Sequence, residues 1–508
     1  MKLSKIKYLF ALLLAVGIFI VGCTSLDEDT TGLVSPENFY TNIDEVNAGV
    51  AAIYRVYMEY YLNAQGGLPT LGGDDVTARE GLNKGPYREF DQFGTTESNV
   101  WLIEHSWDRL FQAIYHANGV INYYENAPET PEREAAAGEA FFLRGWAYFM
   151  LVRTFGPIPI YLETPTGEEP RSSEREVYDQ IVSDMEFAVN NLPDSWSGQP
   201  GRVTGWSAKL FKAKVHLTMA GWPLQDASNY SIAADLTRDV IDNSGHDLMP
   251  VFNDLWFIDN SNNVESMLAV QACADCGDWA LTNRMPLSVG PGDIDGGGTG
   301  WDDYFAEIAF FEEFPEGPRK EATFLTEIPT GGGSTVDWSA SVTGHPYYLK
   351  VTGNTLSTSW QTGFNVYVLR YAEALLTYAE AQNMANGSPN ADAYEALNMV
   401  RRRAAGLDPN TPDGTVDLAG LSTTAFNQAV LDEAGWELAG EWHRWFNLVR
   451  TQSVAAATAS RYTDGRELPL IGVSVGDGES SFEKFYYAPI PAAEMQLRTD
   501  WTQNPCCN

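Results

Sequence analysis

Basic residues are scarce in this sequence, and their scarcity excludes several classes of function. The 508 residues include 32 Lys and Arg against 68 Asp and Glu, which gives a formal net charge of −36. A chain this acidic repels phosphate backbones and anionic lipid headgroups. No basic cluster offsets the repulsion, so we expect no nucleic-acid binding. For the same reason the surface disfavours highly anionic ligands.

Motifs for catalysis, metal binding and phosphate binding are also missing. The six histidines are scattered, with no H-E-x-x-H and no pair four residues apart. The glycine triplets at 296–298 and 331–333 are not followed by the helix start that a phosphate-binding loop needs. We expect no cofactor and no metal site, although the sequence alone leaves open whether a metal ion is bound.

Long hydrophobic runs are rare, and the clearest lies at the start of the chain. Residues 8–21 form an apolar stretch of 14 residues after a lysine-rich start. That is short of the roughly 20 residues that span a bilayer, and it fits the core of a signal peptide. The stretch ends at Gly22-Cys23, which resembles the lipobox of bacterial lipoproteins. We predict a signal peptide over 1–22 and a lipid on Cys23; the alternative is a secretory peptide with an incidental cysteine.

Cysteine is sparse, with five residues in the whole chain. Beyond Cys23 there are a C-x-x-C at Cys273 and Cys276 and an adjacent pair at Cys506 and Cys507. An exported protein meets an oxidising compartment, so disulfides are expected. Four cysteines allow three pairings, and the sequence does not choose among them, although a Cys273–Cys276 bridge would stiffen its loop.

What the sequence has in abundance is helical periodicity. Apolar residues recur at helical spacing in nine segments. These segments are residues 36–58, 101–124, 132–155, 174–192, 204–219, 228–241, 371–386, 391–405 and 424–449. We expect an interruption near Asn42 in the first, and two helices or a break near Gly435 in the last. The predicted fold is mostly α, a tetratricopeptide-like superhelix of helix pairs.

One long segment does not follow this pattern. Residues 248–363 are rich in Gly, Asp, Thr and Trp and predict loops with short strands. A loop region of this size within a helical protein is typically functional. We therefore expect a helical scaffold over about 35–245 and 364–450, with the loop-rich insertion carrying the ligand face.

Several residue runs, in this order along the chain, resemble one family. They are 36–40 (PENFY), 139–149, 152–159, 201–204, 369–376, 400–407, 445–450 and 503–505. Together with the lipobox and the acidic residues 27–29, they resemble the SusD/RagB family of outer-membrane nutrient-binding lipoproteins. The chain departs from that pattern at 432–436, where the family often has arginines, and at Cys506-Cys507, where Gly-Tyr is common.

The resemblance implies a function as well as a fold. Residues 23–508 would form one SusD-like domain, lipid-anchored in the outer membrane and facing the cell exterior. It would bind oligo- or polysaccharide and deliver it to a SusC-type TonB-dependent transporter, with neither catalysis nor a cofactor. A RagB-like peptide-binding lipoprotein and a surface glycoside hydrolase are the alternatives.

Sugar binding needs aromatic rings that stack on pyranose faces and planar polar groups that bond hydroxyls. The resemblance places an acidic residue and an arginine in the loop after the first helix, and stacking rings in the insertion. Trp107 suits the family's buried tryptophan, which leaves Trp101 as a surplus ring. The candidate ligand residues are Asp74, Asp75, Arg79, Asn99, Trp101, Trp279, Arg284, Trp301, Tyr304, Trp338 and Trp360. For each, packing within the fold is the alternative role.

Charged residues inside the predicted helices have two interpretations. They are Arg144, Arg370, Glu373, Glu380, Glu437, Glu441 and Arg444. Paired carboxylates would suit glycoside hydrolysis. In a scaffold of helix pairs, however, such residues usually form ion pairs between helices, and we interpret them as structural.

Overall fold

A computed structural model describes residues 36–62, 71–94, 101–292, 300–330, 333–353, 362–474 and 476–507. The predicted signal peptide, Cys23, Asn99 and Trp360 lie outside these residues. A short helix α1, Pro36–Phe39, belongs to one unit, and a second unit begins at Tyr40. The second unit contains all the remaining helices and strands of the described chain.

Helices dominate this second unit. They are α2 Ile43–Leu62, α3 Gly85–Asp91, α4 Trp101–Ile121, α5 Pro131–Phe155, α6 Glu174–Asn191, α7 Gly205–Ala220, α8 Asn229–Asn243, α9 Met285–Val289, α10 Ile308–Glu313, α11 Pro318–Thr323, α12 Tyr371–Asn386, α13 Ala391–Ala404, α14 Thr423–Glu437, α15 Arg444–Thr451, α16 Val454–Ala457 and α17 Ala492–Leu497. From α4 to α8 each long helix packs on the next, α2 packs on α4 and α5, and α8 packs on α12. The predicted mostly α fold of successively packed helices is confirmed.

Local signals in the sequence set the helix ends. The Thr130 hydroxyl accepts a hydrogen bond from the Arg133 amide at 3.1 Å and caps α5. Gly156 ends the same helix with a φ of +71°, which is unfavourable for other residues. The segment predicted at 424–449 is two helices, α14 and α15, separated by residues 438–443.

The loop-rich segment between α8 and α12 is held by short antiparallel strand pairs. The pairs are β1 Val76–Ala78 with β3 Tyr304–Ala306, β2 Ser266–Val270 with β8 Val366–Arg370, β4 Phe324–Leu325 with β7 Tyr347–Tyr348, and β5 Glu327–Pro329 with β6 Thr335–Asp337. Strand β8 runs directly into α12, so its pairing with β2 ties the insertion to the helical scaffold.

A buried ion network joins the insertion to the C-terminal helices. Arg370 donates to Glu265 at 2.6 Å, to Glu437 at 2.9 Å and to Glu441 at 2.8 Å. Arg403 pairs with Glu265 at 2.9 Å and with Glu437 at 2.7 Å. The remaining members are Arg319, Lys350 and Glu433. We call these eight side chains the buried ion network.

The other helical charges are also paired, which confirms their structural interpretation. Arg144 binds Asp184 at 2.7 Å. Arg450 pairs with Glu380 at 2.5 Å. Burial would raise the pKa of Glu441, but Arg370 and Lys350 outweigh it and lower that pKa to about 2.

The end of the chain closes against the middle of the scaffold. Arg171 donates to the Thr502 carbonyl and to Asn504 Oδ1, both at 2.7 Å. Asn504 Nδ2 donates to the Phe155 carbonyl at 3.0 Å, at the end of α5. The ring centroids of Trp107 and Trp501 lie 6.4 Å apart. Trp501 and Asn504 are therefore part of the core.

The lengths and polarities of the described helices decide whether any of them could span a membrane. The longest, α5, has 25 residues. None of the helices in the described ranges combines the length and apolar character needed to cross a bilayer.

Candidate ligand-binding face

Two tryptophans stand out because their rings are largely exposed. Trp101, the first residue of α4, is 46% exposed, and Trp279 is 41% exposed. Trp146 and Trp256, by contrast, are fully buried in the core. A large apolar ring in water loses the stabilisation that burial would provide, so two such rings mark a contact surface.

Trp279 is held in place by its own short turn. It begins a 3₁₀ turn, Trp279–Leu281, which Asp278 caps by accepting a hydrogen bond from the Ala280 amide at 3.0 Å. A disulfide joins Cys273 to Cys276 in the preceding loop, and Cys506 pairs with Cys507. The Cys273 amide donates to the Leu281 carbonyl at 2.7 Å, which closes the loop on the turn.

Arg284 lies against the Trp279 ring, with its guanidinium carbon 4.8 Å from the ring centroid. The Arg284 amide donates to the Leu62 carbonyl at 2.9 Å, which fixes this segment at the end of α2. Burial lowers the pKa of Arg284 from its usual value. The tryptophan and the arginine thus form one stacked unit on the surface.

A chain of ion pairs connects this unit to α2 and α4. Arg55 Nη1 donates to Asp278 at 2.5 Å, and Arg55 Nε donates to Glu59 at 2.6 Å. Arg109 on α4 pairs with the other Glu59 oxygen at 3.0 Å. We call Arg55, Glu59, Arg109 and Asp278 the surface ion chain. It holds the Trp279 turn against the two helices.

His105 links the second exposed tryptophan to the same place. It follows Trp101 by one helical turn and precedes Arg109 by another, so the three side chains share one face of α4. Burial, with smaller contributions from the positive charges of Arg109 and Arg284, lowers the pKa of His105 to about 4. We call Trp101, His105, Trp279 and Arg284 the tryptophan face. His105 is neutral there at pH 7.

The two aspartates proposed from the loop after the first helix do not belong to this face. Asp74 forms a two-pronged ion pair with Arg444, at 2.6 and 2.7 Å. Asp75 is buried, and burial together with Asp74 raises its pKa to about 6. The Asp75 carboxylate accepts from the Gly440 amide at 3.3 Å. Both side chains are committed to interactions within the fold.

Tyr304 is a further correction. It is buried, lies edge-on to Trp442 with ring centroids 5.2 Å apart, and donates its hydroxyl to Met285 Sδ at 3.0 Å. Its ring lies in strand β3, where packing with the neighbouring segments covers it. A buried ring cannot stack on a sugar, so we remove Tyr304 from the candidate ligand residues.

Three other candidates lie in separate surroundings. Arg79 pairs with Asp302 at 3.3 Å. Trp301 is half-buried, and its amide donates to the Leu287 carbonyl at 2.6 Å. Trp338 is half-buried against the cluster formed by Phe305, Ile328 and Tyr347. These residues are not connected to the tryptophan face by the contacts described.

Five residues of the site were not predicted: Asp278 in the insertion, Arg55 and Glu59 on α2, and His105 and Arg109 on α4. A usable signal exists, because Arg55 and Glu59 are four residues apart on α2 and the other two are four apart on α4. This spacing identifies neighbours within one helix. It does not reveal that Arg55 on α2 reaches Asp278, which lies 223 residues further along the chain.

The fold and the sequence were compared with known proteins. Residues 317–506 match the model of the SusD family, and residues 76–217 match a model described as "Starch-binding associating with outer membrane". A SusD-like protein of Bacteroides ovatus is 29% identical over 411 residues, which cover 75% of this chain and 72% of that protein.

Solved structures share the architecture. A SusD homolog from Bacteroides thetaiotaomicron has a TM-score of 0.77 at 24% identity, covering 92% of this chain and 98% of that one. A laminarin-binding SusD-like protein has a TM-score of 0.72 at 26% identity, covering 92% and 100%. With matches to family models in both halves of its helical scaffold and the whole fold in common, the chain belongs to the SusD/RagB family.

Proposed function

We propose that this protein binds oligo- or polysaccharide at the cell surface and that the tryptophan face is the binding platform. The observation that carries the proposal is the pair of exposed tryptophans held on separate elements by the surface ion chain. Rings fixed before the ligand arrives lose little conformational freedom on binding, which favours affinity. Guanidinium and imidazole groups beside them supply hydrogen bonds for sugar hydroxyls.

The comparisons support the glycan as the ligand class. One structural neighbour is a laminarin-binding protein, and one matched family model is described as starch-binding. Both ligands are polymers of neutral glucose units, which agrees with the expectation drawn from the acidic composition. The description of that model also points to association with the outer membrane.

The same proposal makes the protein non-catalytic. A glycosidase needs a carboxylic acid with a raised pKa beside the scissile bond. Next to the tryptophan face, the hydrogen bond from Arg55 lowers the pKa of Asp278, which favours its ionised form. Glu59 is held by two arginines, Arg55 and Arg109. Each carboxylate of the surface ion chain therefore has a positioning role in this proposal.

The proposed function also includes attachment to the membrane and transfer of the glycan to a transporter. We propose that Cys23 carries the lipid, that the body faces the cell exterior, and that bound glycan passes to a SusC-type TonB-dependent transporter. The lipobox and the family membership support this arrangement. A peptide-binding protein would have the same fold, so the two alternatives differ only in the ligand that they bind.

Calorimetry tests the proposal. Protein beginning at residue 24 is titrated with laminarin oligosaccharides, xyloglucan oligosaccharides, an acidic glycan and a peptide mixture. We expect saturable binding to a neutral glycan, weakened at least about tenfold, or about 1.4 kcal/mol, in Trp101→Ala and in Trp279→Ala. Tyr115→Ala is the matched control, because Tyr115 is an exposed ring on α4 outside the tryptophan face.

Three results would contradict the proposal. Binding to peptides alone would favour the RagB-like alternative. Release of shorter sugars during titration would indicate a hydrolase. Glycan binding that survives both tryptophan substitutions would place the platform elsewhere on the molecule.

A further inference from the structure

A recessed, partly open cavity of about 70 Å³ is lined by residues adjacent to the tryptophan face. Asn283 and Met285, which flank Arg284 in sequence, both line it, as do Tyr60 and Tyr61 at the end of α2. Every residue around the cavity is buried or half-buried. Since one water needs about 10–15 Å³ of such space, the cavity holds several waters or a small ion with part of its hydration shell.

Arg153 projects into this cavity from the last turn of α5. Its guanidinium lies between the rings of Phe149 and Phe446, 3.8 Å from each centroid. Its hydrogen bonds go to Met150 Sδ at 2.9 Å and to the Phe149 carbonyl at 3.3 Å. Across the described ranges, no carboxylate forms an ion pair with Arg153.

The charge on Arg153 persists at neutral pH. Burial lowers its pKa to about 10, which still leaves the guanidinium protonated at pH 7. A buried cation without a counter-charge is costly in a low-dielectric interior. Without a balancing negative charge, the desolvation of Arg153 destabilises the folded protein.

The other charged groups at the cavity do not provide the balance. Lys214 pairs with Glu373 at 2.5 Å and donates to His443 Nδ1 at 3.0 Å. Burial and the charge of Lys214 lower the pKa of His443 to about 3, so the ring is neutral at pH 7. Glu441 also lines the cavity, but Lys350 and Arg370 bind its carboxylate.

The buried ion network has no carboxylate to spare. Its four glutamates face four cations within the network, and Arg401 adds a further cation at Glu433. Two cations, Arg153 and Lys214, thus share the single negative charge of Glu373. A protein that carries a large negative charge overall keeps an unbalanced positive charge in its interior.

We propose that this cavity binds a small monovalent anion, with chloride as the simplest candidate, held by Arg153 and Lys214. The anion supplies the charge that the protein side chains lack, and its size suits the volume. A bulky organic anion such as gluconate would demand more space than the cavity offers. This site is separate from the tryptophan face and does not depend on the glycan.

Anomalous diffraction from bromide tests the proposal directly. Crystals of the protein beginning at residue 24 are soaked in sodium bromide, and anomalous peaks are located. We expect a peak inside the cavity, in contact with the Arg153 guanidinium. Bromide on the surface with water alone in the cavity would overturn the proposal, and this result needs no variant that must fold.

Two variants sharpen the test in solution. Thermal unfolding is followed from 10 to 300 mM chloride, with gluconate keeping the ionic strength constant. A bound anion raises the unfolding temperature with concentration, by about 1–3 °C over this range for a chain of this size. Arg153→Met should lose this dependence. Arg175→Met, which removes a surface partner of Asp226, should keep it. A flat response in the unaltered protein would count against the site.

Discussion

The buried ion network and the surface ion chain are built from the same kinds of charged side chain, but one is buried and the other is exposed to solvent. In the network, Arg403, Glu265 and Glu437 have no exposed side-chain area. In the surface ion chain, the Arg55 and Asp278 side chains are 42% and 40% exposed. Both systems join elements that are distant in sequence. The two systems contribute differently to stability, because water screens the exposed ion pairs and is absent from the buried ones.

This difference assigns the two systems to different tasks. Removing one partner from a desolvated network leaves other charges stranded, so the network specifies how the insertion packs on the helices. An exposed pair contributes little to stability, but it fixes the orientation of the residues it joins. The surface ion chain therefore serves to orient the Trp279 turn, and we expect the fold to remain stable without it.

The largest expected effect comes from breaking the buried ion network. Glu437→Gln removes the carboxylate shared by Arg319, Arg370 and Arg403. We expect a loss of about 3–5 kcal/mol in the free energy of unfolding, measured by denaturant titration. Glu312→Gln, which removes the exposed partner of Arg466, is the matched control and should cost less than about 1 kcal/mol. Equal losses in the two variants would refute the distinction.

A substitution at Asp75 is expected to raise the free energy of unfolding, by less than the loss expected for Glu437→Gln. Its pKa is about 6 in the folded state, against 3.8 ordinarily, so the folded protein retains a proton that the unfolded chain releases. The contribution of Asp75 to the free energy of unfolding therefore falls as the pH rises from about 4 to 6. Asp75→Asn avoids that loss and should stabilise the protein by about 2–3 kcal/mol at pH 7.5, with little difference at pH 4.

Asp74→Asn is the matched control for that experiment. It weakens the ion pair with Arg444 and should destabilise the protein at pH 7.5. Urea unfolding of both variants at the two pH values provides the measurement. If Asp75→Asn were destabilising at pH 7.5, the Asp75 carboxylate would have to be a needed partner, contrary to its raised pKa.

The smallest effect on stability is expected from the surface ion chain. Arg55→Gln should change the free energy of unfolding by less than about 1 kcal/mol, since its pairs are exposed. It should nevertheless speed hydrogen exchange in residues 273–282 and weaken glycan binding several-fold, because the Trp279 turn loses its anchor. Unchanged exchange in this segment would show that the disulfide and the capped turn suffice.

Much of the fold was predictable because its signals are local. Helical spacing located α5, α6 and α12 to within one residue at each end. Trp101 and Trp279 were candidates because the family resemblance assigned Trp107 to the core and placed stacking rings in the insertion, and both rings are exposed in the structure.

The errors have a common physical cause. Whether Asp74 is free depends on Arg444, and whether Asp75 is buried depends on Gly440; both partners lie more than 360 residues away. The surface ion chain likewise depends on Arg55 meeting Asp278 across the insertion. A sequence pattern reports residue types and spacing, and it contains no direct record of which distant segments meet.

The closure of the chain end against α5 has a consequence for the order of events during synthesis. Phe155 and Arg171 acquire their partners at Thr502 and Asn504 after nearly the whole polypeptide has emerged. A nascent chain thus lacks its final set of core contacts through most of translation. If the chain is exported as proposed above, this late completion would let export begin before the core around the end of α5 has closed.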